Sequence, residues 1–148
     1  MLKIKAFLSN PHCQPRFGSS GAAAADLYSN TPSPVRLAPG ASARIPTGLT
    51  LEIPDGYAGF IVPRSGLAAK YQIAIVNSPG LIDSDYRGEI SVLLENRGRL
   101  SFVLEPEERF AQIVFIQVPQ VEFAFVEAPE ELLVTMRGAG GFGSTGQI

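Results

Sequence analysis

Between Gly80 and Glu89 the chain reads GLIDSDYRGE, which sets three acids and an arginine around a single tyrosine, Tyr86. If the flanks form a hairpin, the side chains of Asp83 and Asp85 share one face and Ser84 and Tyr86 the other, and a turn between them breaks that rule. A solvated acidic turn has the same composition, so the acids alone assign no chemistry. A second stretch, Pro63 to Lys70 (PRSGLAAK), places an arginine, a hydroxyl and a glycine together. At a loop-to-helix junction such a set can offer a guanidinium and free backbone N–H groups to a phosphate. It lacks the glycine spacing and the Lys-Ser/Thr pair of a P-loop, and an ordinary capped turn reads alike.

The third stretch, Arg137 to Gln147 (RGAGGFGSTGQ), has glycine at five of eleven positions. Ordering such a segment costs much backbone entropy, which predicts a mobile arm over 137–148 following a single β-domain over 1–136. A plain flexible tail has this glycine content too. Here, however, Arg137, Phe142, Ser144 and Thr145 supply a cation, a stacking surface and two hydroxyls, the parts of a lid over a nucleotide. His12 and Cys13 are the single histidine and the single cysteine. They are too few for a structural zinc site, and adjacent strand residues point apart, so a nucleophile pair fails on geometry. Both are expected in a surface loop.

These groups need a scaffold, and 148 residues suffice for one domain that buries roughly 70% of its unfolded-chain surface. Hydrophobic residues make up 45% and charged residues 18%, which excludes intrinsic disorder. The net charge of −2 is scattered, so no basic face points to long nucleic acid, while a few focused arginines still suffice for a small anion. One cysteine excludes a disulfide framework and fits a reducing cytoplasm. Met1 to Phe7 alternates like a strand and lacks the apolar core of a signal peptide, and no uncharged apolar run approaches the ~20 residues of a membrane helix. A soluble protein is expected.

Fifteen glycines and twelve prolines punctuate the chain. Between them lie candidate strands at 2–7, 43–53, 57–62, 71–76, 89–95, 101–104, 110–118 and 121–126. The pattern predicts an all-β sandwich, jelly roll or barrel, with a turn or two of helix within Ser65–Lys70.

In combination and order, five stretches resemble the trimeric dUTP pyrophosphatase (dUTPase) family over essentially the whole chain. They are Ala22–Ser29, Pro63–Ala69, Asn77–Glu89, Glu105–Ile113 and Arg137–Gly146. The resemblance implies a jelly-roll-like distorted barrel (β-clip), assembled as a homotrimer with shared active sites, acting on dUTP with Mg2+. It implies Asp83 as the general base on water, and Asp26 touching the magnesium through water only. It further implies Asn77 reading uracil, Tyr86 packing on deoxyribose, and Arg64, Ser65, Gly66 and Gln112 contacting phosphates. From the arm, it implies Phe142 stacking on uracil and Arg137, Gly143, Ser144, Thr145 and Gly146 closing on the substrate.

Three positions depart from the family pattern. Ala24 stands where glycine usually lies two residues before Asp26, Glu107 where glycine often precedes Glu108, and Ala139 at a variable arm position. The nearest rival on the same fold is a dCTP deaminase, alone or joined to pyrophosphatase activity. Such relatives read Asp-Pro-Gly-aromatic where this chain reads Asp83-Ser84-Asp85-Tyr86. They carry a glutamate where Leu93 falls here, with Glu95 two residues out of register. A nucleotide-gated binding partner of regulatory proteins is the rival from another class, and the short loops leave no insertion for it.

Overall fold

The structure is a computed structural model, described here over residues 1–140. In chain order its strands are β1 (Lys5–Leu8), β2 (Arg16–Phe17), β3 (Ala25–Tyr28), β4 (Val35–Leu37), β5 (Ser42–Pro46) and β6 (Leu49–Glu52). They continue with β7 (Tyr57–Pro63), β8 (Ile73–Ile75), β9 (Gly80–Ile82), β10 (Ser91–Asn96), β11 (Phe102–Leu104) and β12 (Arg109–Gln117). Among the described residues a single α-helix, α1 (Ser65–Tyr71), interrupts them. The strands form a five-stranded sheet in the order β2-β3-β12-β7-β9, a three-stranded sheet β5-β10-β8, and the pairs β1-β6 and β4-β11. All pairings are antiparallel. This is the jelly-roll-type β architecture expected from the sequence.

The apolar residues of the strands meet in one core that includes Leu27, Ile45, Leu94, Leu104, Phe110 and Ile113. Polar side chains inside it are placed where they satisfy backbone. Asn96 donates to the carbonyls of Leu37 and Leu100 at 2.9 and 2.8 Å and accepts from Gly98 N–H, fixing the loop after β10. Thr47 donates to Ile90 C=O at 2.7 Å and accepts from Leu49 N–H. These bonds offset the desolvation that a buried polar group otherwise carries. The segment expected as one strand over 43–53 is two, because the chain turns at Thr47-Gly48, where Gly48 takes φ +71°. A β-carbon there would lie 2.9 Å from both Ser9 Oγ and Asn30 Nδ2, so the turn needs glycine twice over.

Two expectations fail. The segment 121–126 makes no strand pairing among the described residues, and its apolar side chains stand in solvent there, with Phe123 77% and Phe125 92% exposed. Alternating apolar residues favour a strand only where a partner edge exists, and none is reached here. Cys13 is not on the surface. It closes a 3-10 turn (Pro11–Cys13) capped by the Asn10 side chain, which accepts from His12 N–H, and its Sγ lies 3.5 Å from Ser29 C=O in a 1% exposed position. Burial, then the nearby Glu107 charge, pushes the Cys13 thiol up from its ordinary value of 9.0. His12 beside it is exposed as expected.

Candidate functional site

Asp26 lies in β3 and is 6% exposed, the most buried of the acids discussed. Three donors converge on it. Arg64 Nε and Gln112 Nε2 reach Oδ1 at 3.2 and 3.0 Å, and Arg109 reaches Oδ2 at 3.1 Å through one terminal guanidinium nitrogen. The register explains the meeting. Asp26 stands across from Gln112, which stands across from Val62, so Arg64, two residues on, shares their face. Arg64 also donates to Arg109 C=O at 2.9 Å, which locks the two cationic segments together. A guanidinium carries five N–H donors, and these two bonds leave Arg64 with three for an incoming anion. Ser65 and Gly66 follow at the exposed start of α1, a few ångströms of chain away. The cluster combines two cations, one carboxylate and an amide, which suits a polyanionic group such as a phosphate chain.

Arg109 belongs to this cluster, and the sequence reading assigned it nothing. Counted along a regular strand, 109 and 112 point to opposite faces. A β-bulge between Arg109 and Ala111 sets Arg109 opposite Tyr28 and Ala111 opposite Leu27, two steps against one, and so turns Arg109 to the Asp26 face. The bulge follows a turn clipped by Ser29, whose Oγ donates to Glu105 C=O at 2.6 Å and whose carbonyl accepts from Glu107 N–H at 2.8 Å. Glu107 sits there at φ +58°, so the turn that glycine would favour forms with a glutamate in it. Ala24, by contrast, has no left-handed backbone: among the described residues other than glycine, only Gln72 and Glu107 do. Its side chain therefore adds no backbone strain before Asp26.

A second set of polar groups surrounds β9. The chain leaves β8, turns through Val76–Pro79 with a cis Ser78–Pro79 peptide, and enters β9 in the other sheet. Asn77 lies exposed in that turn, beside Gly80. Asp83 follows β9, so Asn77 and Asp83 stand at opposite ends of a three-residue strand. The chain then turns at Ser84-Asp85, with Tyr86 N–H donating to Asp83 C=O at 3.3 Å, and the expected alternation of 83 and 85 against 84 gives way. Asp83, Ser84 and Asp85 all line one cleft of about 490 Å³, together with Asp55, Tyr57 and Gln120. Arg87 steadies the turn by donating to the carbonyls of Ser84 and Tyr86. Tyr86 lies outside the cleft, 45% exposed.

The structure thus brings Asp26, Arg64 and Gln112 together, with Ser65 and Gly66 adjoining. It sets Asn77, Asp83 and Tyr86 around β9, apart from them. Arg137 donates within its own turn, Nε to Gly140 C=O at 2.8 Å, and Phe142, Gly143, Ser144, Thr145 and Gly146 lie outside the described residues. Asp26 and Asp83 are separated by three strand spacings across the sheet and four residues along it, since Gly59 pairs Ile82 while Val62 pairs Gln112 and Gln112 pairs Asp26. At about 4.8 Å per strand and 3.3 Å per residue this amounts to roughly 20 Å. An apolar groove of about 420 Å³ near Leu8, Phe17, Leu51 and Phe115 is lined by no titratable side chain and offers no chemistry.

The dUTPase family model matches residues 12–146 of this sequence. The chain belongs to the dUTPase family. It is 50% identical to the deoxyuridine 5'-triphosphate nucleotidohydrolase of Chlamydia trachomatis serovar L2 over 146 residues, covering 99% of each protein. The enzyme of that name from Chlamydia muridarum is 49% identical over the same length. Among solved structures, the Staphylococcus bacteriophage 80alpha dUTPase with dUpNHpp superposes with a TM-score of 0.87 at 26% identity. That match covers 99% of this chain and 100% of the phage chain. Among the described residues no helix is long and apolar enough to cross a membrane.

Proposed function

We propose that this chain, a dUTP diphosphatase, activates water with Asp83 and completes each active site with a second and a third copy of itself. The observation carrying this reading is the division of its polar groups into two sets. One is cationic with guanidinium donors to spare, and the other presents an exposed carboxylate beside an aromatic ring. Asp83 takes a proton from a water whose oxygen attacks the α-phosphorus of dUTP. The bond from that phosphorus to the α–β bridging oxygen breaks, and pyrophosphate leaves with dUMP remaining. Asn77 reads the uracil edge, and Tyr86 packs on the deoxyribose where a 2′-hydroxyl would collide. Arg64, Ser65, Gly66 and Gln112 of a neighbouring copy hold the phosphates. From the last stretch, Phe142 stacks on uracil, while Arg137, Gly143, Ser144 and Thr145 engage the terminal phosphates.

The donor set around Asp26 fits magnesium only at one remove. Its carboxylate already accepts three hydrogen bonds, two of them from guanidiniums, and a cation placed directly on it would face both positive charges. The second oxygen, with one donor, retains room to accept from a metal-bound water. Bound to the triphosphate, Mg2+ supplies charge neutralisation and a fixed phosphate geometry. The exposed Phe123 and Phe125 support assembly, because apolar side chains this bare are ordinarily covered by a partner, and a closed ring of three covers each copy's segment once. The buried, unpaired Cys13 agrees with a reducing cytoplasm.

Pyrophosphate release from dUTP, dCTP, dTTP and UTP, each with and without magnesium, tests the proposal. Magnesium-dependent release from dUTP alone is expected. Turnover of dCTP would instead favour the deaminase branch, and release from dUTP that ignores magnesium would overturn the metal role.

A further inference from the structure

Tyr86 is seated by the residues that follow it. Past the turn, its side chain folds forward along the chain and its hydroxyl donates to Glu89 C=O at 3.1 Å. The ring lies against Gly88 so closely that a β-carbon at 88 would overlap the Tyr86 hydroxyl oxygen, and would sit 2.5 Å from Cζ and 3.0 Å from Cε2. Gly88 has no left-handed backbone, so glycine is needed there for space and not for conformational freedom. The Glu89 side chain is fastened in turn, Oε1 accepting from Gly48 N–H at 2.6 Å. Gly48 belongs to the buried turn between β5 and β6, itself fixed by Thr47 and by Ser9 N–H donating to Gly48 C=O at 2.9 Å. A rigid turn thus holds Glu89, Glu89 holds the tyrosine hydroxyl, and a bare α-carbon lets the ring lie down.

We propose that Gly88 and Glu89 are positioning residues that set discrimination between deoxyribose and ribose by fixing the plane of the Tyr86 ring. The inference rests on the reading that Tyr86 packs on the sugar. A ring that excludes one hydroxyl must be located to a fraction of an ångström. A methyl group at 88 forces it up or sideways, and a loosened Glu89 carbonyl lets it swing.

The test is the ratio of kcat/KM for dUTP to that for UTP, measured in full-length wild-type protein, Gly88→Ala, Tyr86→Ala and the double variant. Gly88→Ala should lower the ratio at least tenfold in the wild-type background and leave it unchanged in the Tyr86→Ala background, where no ring remains to be displaced. An equal loss in both backgrounds, or no loss, overturns the inference. If Tyr86→Ala itself leaves the ratio intact, the reading of Tyr86 fails first, and that outcome is distinguishable from the other two. Glu89→Ala and Glu89→Gln give a second route should Gly88→Ala not fold. Gln keeps an oxygen for Gly48 N–H and should hold the ratio, whereas Ala should lower it. Equal ratios for the two overturn the role of Glu89.

Discussion

Two variants that are each inactive should restore activity when they assemble together. Asp83→Asn removes the proposed base just after β9, and Arg64→Ala removes the guanidinium that bonds Asp26 and is proposed to hold phosphate. The roughly 20 Å between these positions within one chain follows from one strand spacing and six residues of register, since Arg64 follows β7 and Asp83 falls opposite Ala58 of that strand. A base must stand within hydrogen-bond reach of its water, at most one water removed, so a compact triphosphate gripped by Arg64 of one chain presents its α-phosphorus far from Asp83 of the same chain. If each site takes Asp83 from one copy and Arg64 from the next, random assembly of the two variants makes some sites wholly wild-type. Every mixed ring of three, of either composition, then holds one intact site in three, so about one third of wild-type activity returns once unmixed rings are removed. Co-expression with two different affinity tags, tandem purification and a pyrophosphate-release assay measure it. Gln112→Ala in place of Arg64→Ala should complement Asp83→Asn equally, since Gln112 shares the Asp26 cluster. Co-purified mixed assemblies no more active than the two parents would refute the division of the site between copies.

Glu107→Gly should stabilise the protein by about 0.5–1 kcal/mol. It removes left-handed strain at φ +58° and gives up only an exposed 3.3 Å bond from Asn10, and a thermal melt at fixed protomer concentration reads it as a small rise in Tm. Because the Cys13 thiol is raised above its value of 9.0 in the unfolded chain, the native state holds that proton longer. The stability it contributes is complete below pH 9.0 and is lost as pH rises beyond that, so urea melts from pH 7 to 10 should slope more steeply for wild type than for Cys13→Ala. Phe123→Asp combined with Phe125→Asp should leave the described fold unchanged by circular dichroism while lowering the assembled mass in light scattering. An unaltered mass of three chains would show that these rings do not hold the copies together.

Most of the scaffold was legible because its strands carry their own signal. The segment 110–118 is dense in Ile, Val and Phe and forms the nine-residue β12 that joins the two halves of the main sheet. The helix expected within Ser65–Lys70 forms as α1 and ends at Gln72, which takes the left-handed cap. What escaped was carried by neighbours. β3 is built from Ala25–Tyr28, where alanine and aspartate have little strand preference, and it exists because β2 and β12 flank it. Cys13 is buried by a 3-10 turn that hydrophobic periodicity does not register. Arg109 was hidden by a bulge, which no residue count along one strand reveals.

The candidate site shows the same division, and it has a physical cause. Asp83, Tyr86 and Arg64 stand in recognisable stretches, but resemblance along a chain says nothing about which stretches meet. The sheet order decides that, and it sends β3 and β9 to separate places, with β12 and β7 between them. The apolar rings of 121–126 make the same point from the other side. Their alternation reads as a strand in the sequence, yet the described residues give that strand no edge to pair with. A strand pattern without a partner among the described residues and two polar sets far apart on one sheet are both expected of a chain whose proposed complement is another copy. The two features therefore stand or fall together. If complementation succeeds, the bare segment should prove to be buried at the same interface, and protection of the amides of 121–126 from hydrogen exchange in the assembled protein is the measurement that links them.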